Sequence, residues 1–167
     1  MINILFGKSM NYPVPCDGVR GEMLYLENLV FKNGIPFIFH RLMSKKHNSS
    51  IIDIYEIVSC DGKIWDLLYL DMYNEYRTEF VPYGYREAVR AEELNRFILG
   101  LNNPHIPQLK VDQNVGSNLR YKDFPLGVLI ENNELFHEDE RAVIFFNFKR
   151  PKAHLDKLAA IGDKLNR

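Results

Sequence analysis

The sequence has few of the features that announce a function. Only two cysteines, Cys16 and Cys60, occur in 167 residues. Two thiols make neither a disulfide framework nor a thiolate metal centre. Charge of one sign is also missing, because 21 basic residues stand against 22 acidic ones for a formal net charge of −1. Such a balance lacks the positive field that draws in nucleic acid, so no nucleic-acid partner is expected. No apolar run approaches the ~18 residues of a membrane-spanning helix. The apolar stretch Ile2–Phe6 has no basic residue before it and is too short for a secretory leader. The expectations are no membrane association, a cytoplasmic location and reduced thiols. With no repeat, linker or low-complexity segment, residues 1–167 read as one domain.

The recognisable motifs are also incomplete. Phe6-Gly7-Lys8-Ser9 ends like a phosphate-binding loop, but the glycine required five residues before Gly7 is replaced by Ile2. His137-Glu138 begins like a zinc-protease helix, yet Arg141 stands where the second histidine belongs. The remaining histidines, His40, His47, His105 and His154, lack ligand spacing, so neither a metal nor a cofactor is expected. Phe145–Arg150 sets aromatics beside positive charge without the basic–glycine–aromatic order of RNA readers. Asn48-Ser49-Ser50 has the glycosylation pattern and reads as a surface loop.

What the sequence does contain is apolar and aromatic residues in strand-like runs. Hydrophobic residues make up 46% and aromatics 13%, which suits a packed core and leaves aromatic surface for a partner. Ile51–Tyr73 holds two such runs around Asp61-Gly62, a dipeptide favoured in two-residue hairpin loops. That turn sets Val58 opposite Trp65, Glu56 opposite Leu67, Ile54 opposite Tyr69, Ile57 opposite Asp66, Tyr55 opposite Leu68 and Asp53 opposite Leu70. Both faces come out largely apolar, so the hairpin belongs in a sheet covered on both sides, with Trp65 in the core. Met23–Lys32 and Ile35–Ser44 around Asn33-Gly34 repeat the design, with Val30 facing Phe37 and Glu27 facing His40. Lys45–Ser50 joins the hairpins into a meander over residues 23–73.

Beyond the meander, Ala91, Leu94, Phe97, Ile98 and Leu101 recur at helical spacing, predicting a helix over 86–101. Ala142–Lys149 reads as a buried strand. Pro151 opens a helix over 152–166 whose stripe Leu155, Leu158, Ala159 and Leu165 is expected to dock on the sheet. Residues 112–140 yield no assignment. The fold class is therefore α+β: an antiparallel sheet built on two consecutive hairpins and packed by two helices.

Three sets of candidate functional residues follow. A carboxylate facing an imidazole raises its basicity, so Glu27 and His40, with Arg41 beside them, form a candidate catalytic or ligand site on the sheet. Cys16, in a glycine-rich charged segment, is a candidate nucleophile. Tyr73, Tyr76, Tyr83 and Tyr85 cluster after the second hairpin and are candidate contacts for a protein partner. Without a complete catalytic motif, the leading expectation is a small binding module, of the kind of a bacterial accessory or regulatory protein, that engages a protein partner. An enzyme or small-ligand receptor using Glu27, His40 and Arg41 is the alternative. Nothing in the sequence sets an oligomeric state.

Overall fold

The computed structural model describes residues 3–94 and 150–163. The elements are β1 (Val14–Pro15), α1 (Gly18–Glu27), β2 (Leu29–Phe31), β3 (Phe37–His47), β4 (Ser50–Ser59), β5 (Trp65–Asp71), β6 (Tyr85–Glu87) and α2 (Lys152–Asp163), with a 3₁₀ turn at Ala91–Leu94. The architecture is α+β. Four strands form one sheet in the order β1-β5-β4-β3, and β2 pairs with β6 in a separate ribbon. Three strands of the main sheet are antiparallel, but β1 runs parallel to β5, so the sheet is mixed.

The β4–β5 hairpin has the register that the sequence predicts. Asp53 faces Leu70, Ile54 Tyr69, Tyr55 Leu68, Glu56 Leu67, Ile57 Asp66 and Val58 Trp65. The turn itself differs from the expected two-residue loop. Ser59 N–H donates to Ile64 O at 2.9 Å and Gly62 N–H to Ser59 O at 2.8 Å, so the loop spans residues 60–63. Gly62 takes φ +75°, whereas Asp61 stays out of the left-handed region and accepts from Ser59 Oγ and Lys63 N–H through its carboxylate. A four-residue loop centred on the same dipeptide leaves the register unchanged, which is why the pairing survives the change of turn.

The first expected hairpin does not form. Gly18–Glu27 is a helix instead of half a strand, and β2 pairs with β6 rather than with β3. Leu29, Val30 and Phe31 thus face Glu87, Arg86 and Tyr85, not residues of β3. Asn33-Gly34 still makes a tight turn, with Gly34 N–H donating to Phe31 O at 2.8 Å, but it redirects the chain between two sheets. Glu22, Tyr25 and Leu26 are the buried positions of α1, and their spacing of three and four marks one helical face. Met23–Leu26 is an unbroken apolar run that fits either period, so pattern alone cannot choose between helix and strand.

The true partner of β4 on the other side is β3. Residues 45–50, read as a connector, mostly continue these strands, and His47 pairs with Ser50 around Asn48-Ser49. Asn48 takes φ +53°, a conformation asparagine tolerates better than most residues. The register shifts by one between Arg41 and Met43, leaving Leu42 as a bulge. That extra residue puts Arg41, opposite Tyr55, and Ser44, opposite Asp53, on the same face of the sheet.

This face carries the core. Phe37, Phe39, Tyr55, Ile57, Leu68 and Leu70 of the sheet pack with Tyr25, Leu26, Leu29, Phe31 and Tyr85. Tyr85 stacks on Phe31 at 4.8 Å between centroids and meets Phe37 edge-on at 5.6 Å. The opposite face is buried as well: Ile52, Ile54, Val58 and Leu67 are all enclosed, as expected for a sheet covered on both sides.

Two helix expectations need correction. Residues 85–87, inside or beside the expected helix 86–101, form β6, because pairing with β2 satisfies their backbone better than starting a helix would. Residues 95–101, 112–140 and 142–149 lie outside the described residues. The second helix is present as α2, with Leu165 of the expected stripe outside the described residues, and among the described residues it meets the sheet through His154 rather than through the apolar stripe. Leu155 and Ala159 are exposed and Leu158 is half-buried, while His154 is buried. Trp65 is half-buried rather than central to the core, beside the His154 ring at 5.0 Å.

Candidate functional site

The expected cross-strand register of Glu27 with His40 does not form. Glu27 is the last residue of α1, and the β3–β4 ladder sets His40 opposite Glu56. Glu56 is fully buried and receives a forked bond from Arg150, Nε to Oε1 at 2.6 Å and Nη2 to Oε2 at 3.0 Å. His154 Nε2 approaches the same Oε1 at 2.9 Å. The guanidinium also lies 5.4 Å from the Trp65 ring centre. This cluster fixes α2 to the sheet. Its imidazole is almost completely enclosed, with Nδ1 buried and unpartnered, so it offers no exposed base.

Cys16 lies between β1 and α1 with its thiol buried. Burial, then the charges of Glu22 and Asp71, push that thiol up to about 12. It is held as the neutral thiol near pH 7, the unreactive form. Lys8, from the incomplete phosphate-loop motif, is turned inward too. Its ammonium pairs with Asp66 and sits 4.4 Å from the centre of the Tyr85 ring, while Tyr85 OH donates to Asp66 Oδ2 at 2.8 Å. Burial holds Lys8 below its usual range, although Asp66 pulls the other way.

A second buried carboxylate group, which sequence reading missed, joins α1 to the sheet. Glu22 and Asp53 both have zero exposure. Tyr55 OH donates to Glu22 Oε2 at 2.9 Å, and Asp53 is bonded by Ser44 Oγ and approached by Arg41 Nη1 at 3.5 Å. Burial first, and then the Asp53 charge, push the Glu22 carboxyl up to about 8. A glutamate at a core position of a helical face is the signal that could have exposed this pair, had Gly18–Glu27 been read as a helix. Among the described residues no group of three or more His, Cys, Asp or Glu is placed to hold a metal ion.

Comparison of the chain with protein-family models, curated proteins and solved structures gives no match. Among the described residues no helix is long and apolar enough to cross a membrane.

The tyrosine cluster divides. Tyr85 belongs to the core, as its stacking on Phe31 requires. Tyr73, Tyr76 and Tyr83 are exposed by 60%, 59% and 64%, and Phe80, which the sequence reading passed over, by 74%. These four side chains stand on the loop from β5 to β6, whose backbone is tied down on either side of residues 75–77. Gly18 N–H donates to Met72 O at 2.9 Å, and Asn74 N–H to Cys16 O at 3.3 Å. Tyr73 forms a bridge with Asp17. Thr78, itself buried, accepts from Phe80 N–H at 3.1 Å, and Tyr25 OH donates to Phe80 O at 2.8 Å. Phe6 meets the Phe80 ring edge-on at 6.3 Å. Gly7, at φ +69°, lets Pro82 pack so closely that a Cβ there would lie 2.8 Å from Pro82 Cγ. The loop is a fixed display of aromatic rings interleaved with the exposed charges Glu75, Arg77 and Glu79.

Proposed function

We propose that this chain is a protein-binding module whose contact surface is the loop of Tyr73, Tyr76, Phe80 and Tyr83. The observation that supports this reading is four large aromatic side chains exposed on a backbone already held in place. Aromatic anchors supply much of the energy of protein interfaces, and a pre-ordered loop loses little further conformational freedom on binding. Two acidic residues, Glu75 and Glu79, flank one Arg77 on the exposed side. The partner surface that fits is apolar at its centre and basic at its rim. The alternative, an enzyme, draws less support, because Cys16, Glu22, Asp53 and Glu56 are all enclosed. A cytoplasmic setting accords with two buried thiols, Cys16 and Cys60.

A photo-cross-linking residue in place of Phe80 tests the reading in the producing cell, with Leu155 on α2 as the control position. Cross-links to one protein from position 80 and not from 155 are expected. Tyr76→Ser with Phe80→Ser should abolish them while leaving stability within about 0.5 kcal/mol, since both rings are exposed. Cross-linking that is equal at both positions, or indifferent to the double substitution, refutes the assignment.

A small-ligand site is a second reading, favoured by one observation. The Leu42 bulge brings exposed Ser44 and partly exposed Arg41 together over buried Asp53. Loss of ligand binding in Arg41→Gln with the loop intact would favour it.

A further inference from the structure

We infer that Glu22 keeps a proton, donated to Asp53, that seats α1 on the sheet, and that losing this proton loosens the aromatic loop strapped to α1. This regulation rests on the reading of that loop as the contact surface. The geometry supplies each step. Glu22 projects from α1 and Asp53 from β4, both with zero exposure. Glu22 Oε2 has its donor in Tyr55, but buried Oε1 receives none. The carboxyl lies within hydrogen-bonding reach of Asp53. Two carboxylates cannot bond each other unless one keeps a proton, so a proton on Glu22 Oε1, donated to Asp53, satisfies the orphaned oxygen.

The surrounding groups favour that state. Tyr55 of β4 and Arg41 of β3 act against protonation, by a hydrogen bond and by charge respectively; burial and the charge of Asp53 act for it more strongly. Ser44 of β3 holds Asp53 in place. Cys16, at the junction of β1 and α1, feels Glu22 and also Asp71 of β5, and its thiol stays neutral. Ionising Glu22 leaves two adjacent anions without water, with one Arg41 guanidinium nearby. Moving α1 away from β4 relieves the repulsion by admitting solvent.

The same helix carries the loop. Its first residue, Gly18, donates to Met72, Cys16 just before it accepts from Asn74, and Tyr25, one turn beyond Glu22, holds Phe80 O. A helix that lifts from the sheet takes the Gly18 and Tyr25 attachments with it and pulls on the Cys16–Asn74 bond beside them.

Amide hydrogen exchange on the isolated full-length protein, corrected for intrinsic rates, tests this without any partner, so its outcome is independent of what the loop binds. With Glu22 at about 8 in the folded chain and 4.5 otherwise, opening of α1 should grow severalfold to tenfold per pH unit between about 5.5 and 7.5. Protection at Gly18, Asn74 and Phe80 should fall accordingly in the wild type. Glu22→Gln should flatten the dependence at all three amides. Tyr25→Phe should flatten it at Phe80 alone. If Glu22→Gln fails to fold, carboxyl carbon shifts of wild-type Glu22 decide the matter, and a titration midpoint near 4.5 overturns the inference. An unchanged pH dependence in folded Glu22→Gln also overturns it.

Discussion

The stability of the whole chain should depend on pH through Glu22, in a direction opposite to that of an ordinary surface carboxylate. Burial, followed by the Asp53 charge and offset in part by Tyr55 and Arg41, raises its carboxyl from 4.5 to about 8. Between those values the folded chain keeps a proton that the unfolded chain releases. Folding is then favoured by acid: this group's contribution is fully present below 4.5 and is lost as pH rises towards 8. One unit corresponds to about 1.4 kcal/mol, so raising pH from about 5 to 7 should remove roughly 2–3 kcal/mol. Glu22→Gln preserves the volume and can donate to Asp53 through its amide. Urea unfolding of both proteins at pH 5, 6, 7 and 8 gives the difference free of histidine titration common to both. The variant should gain on the wild type by about 1 kcal/mol or more per unit across this range. Parallel stability curves would refute a buried, protonated Glu22.

Two other substitutions probe the frame. Arg150→Met removes the forked bond to fully buried Glu56 and should destabilise by about 3 kcal/mol, with Glu56→Gln added to the same chain recovering part of the loss; denaturant midpoints that do not move would place that cluster outside the folding energetics. Gly7→Ala adds a Cβ at φ +69° against the Pro82 ring and should cost about 1–3 kcal/mol while loosening the loop beside it. Proteolysis at exposed Arg77 would report the loosening, and unchanged cleavage would show that Gly7 does not support the loop.

The sequence by itself determined the pieces whose information is local. The β4–β5 register follows from Asp61-Gly62 and the flanking apolar pattern, and it holds even though the loop has four residues, since the pairing depends on where the loop is centred. The burial of both sheet faces was legible in the apolar residues that Ile51–Cys60 sets on either side of the strand, and the helix expected over 152–166 in Pro151 and the spacing of Leu155, Leu158 and Ala159, with Lys152–Asp163 observed as helix. Tertiary structure decided everything that needed a distant partner. Met23–Leu26 fits strand or helix equally well, and the burial of Glu22, Tyr25 and Leu26 against the sheet selects helix. β2 could pair with the residues after Asn33-Gly34 or with Tyr85–Glu87, and the packing of Tyr85, stacked on Phe31 and edge-on to Phe37, favours the second. The ionic contacts were least visible. Glu56 meets Arg150 and His154 across more than ninety residues, and Glu22 meets Asp53 across about thirty. A hydrophobic pattern records which face of an element is apolar, but not which buried charge will find a partner from another element, because that choice is made only when the elements pack.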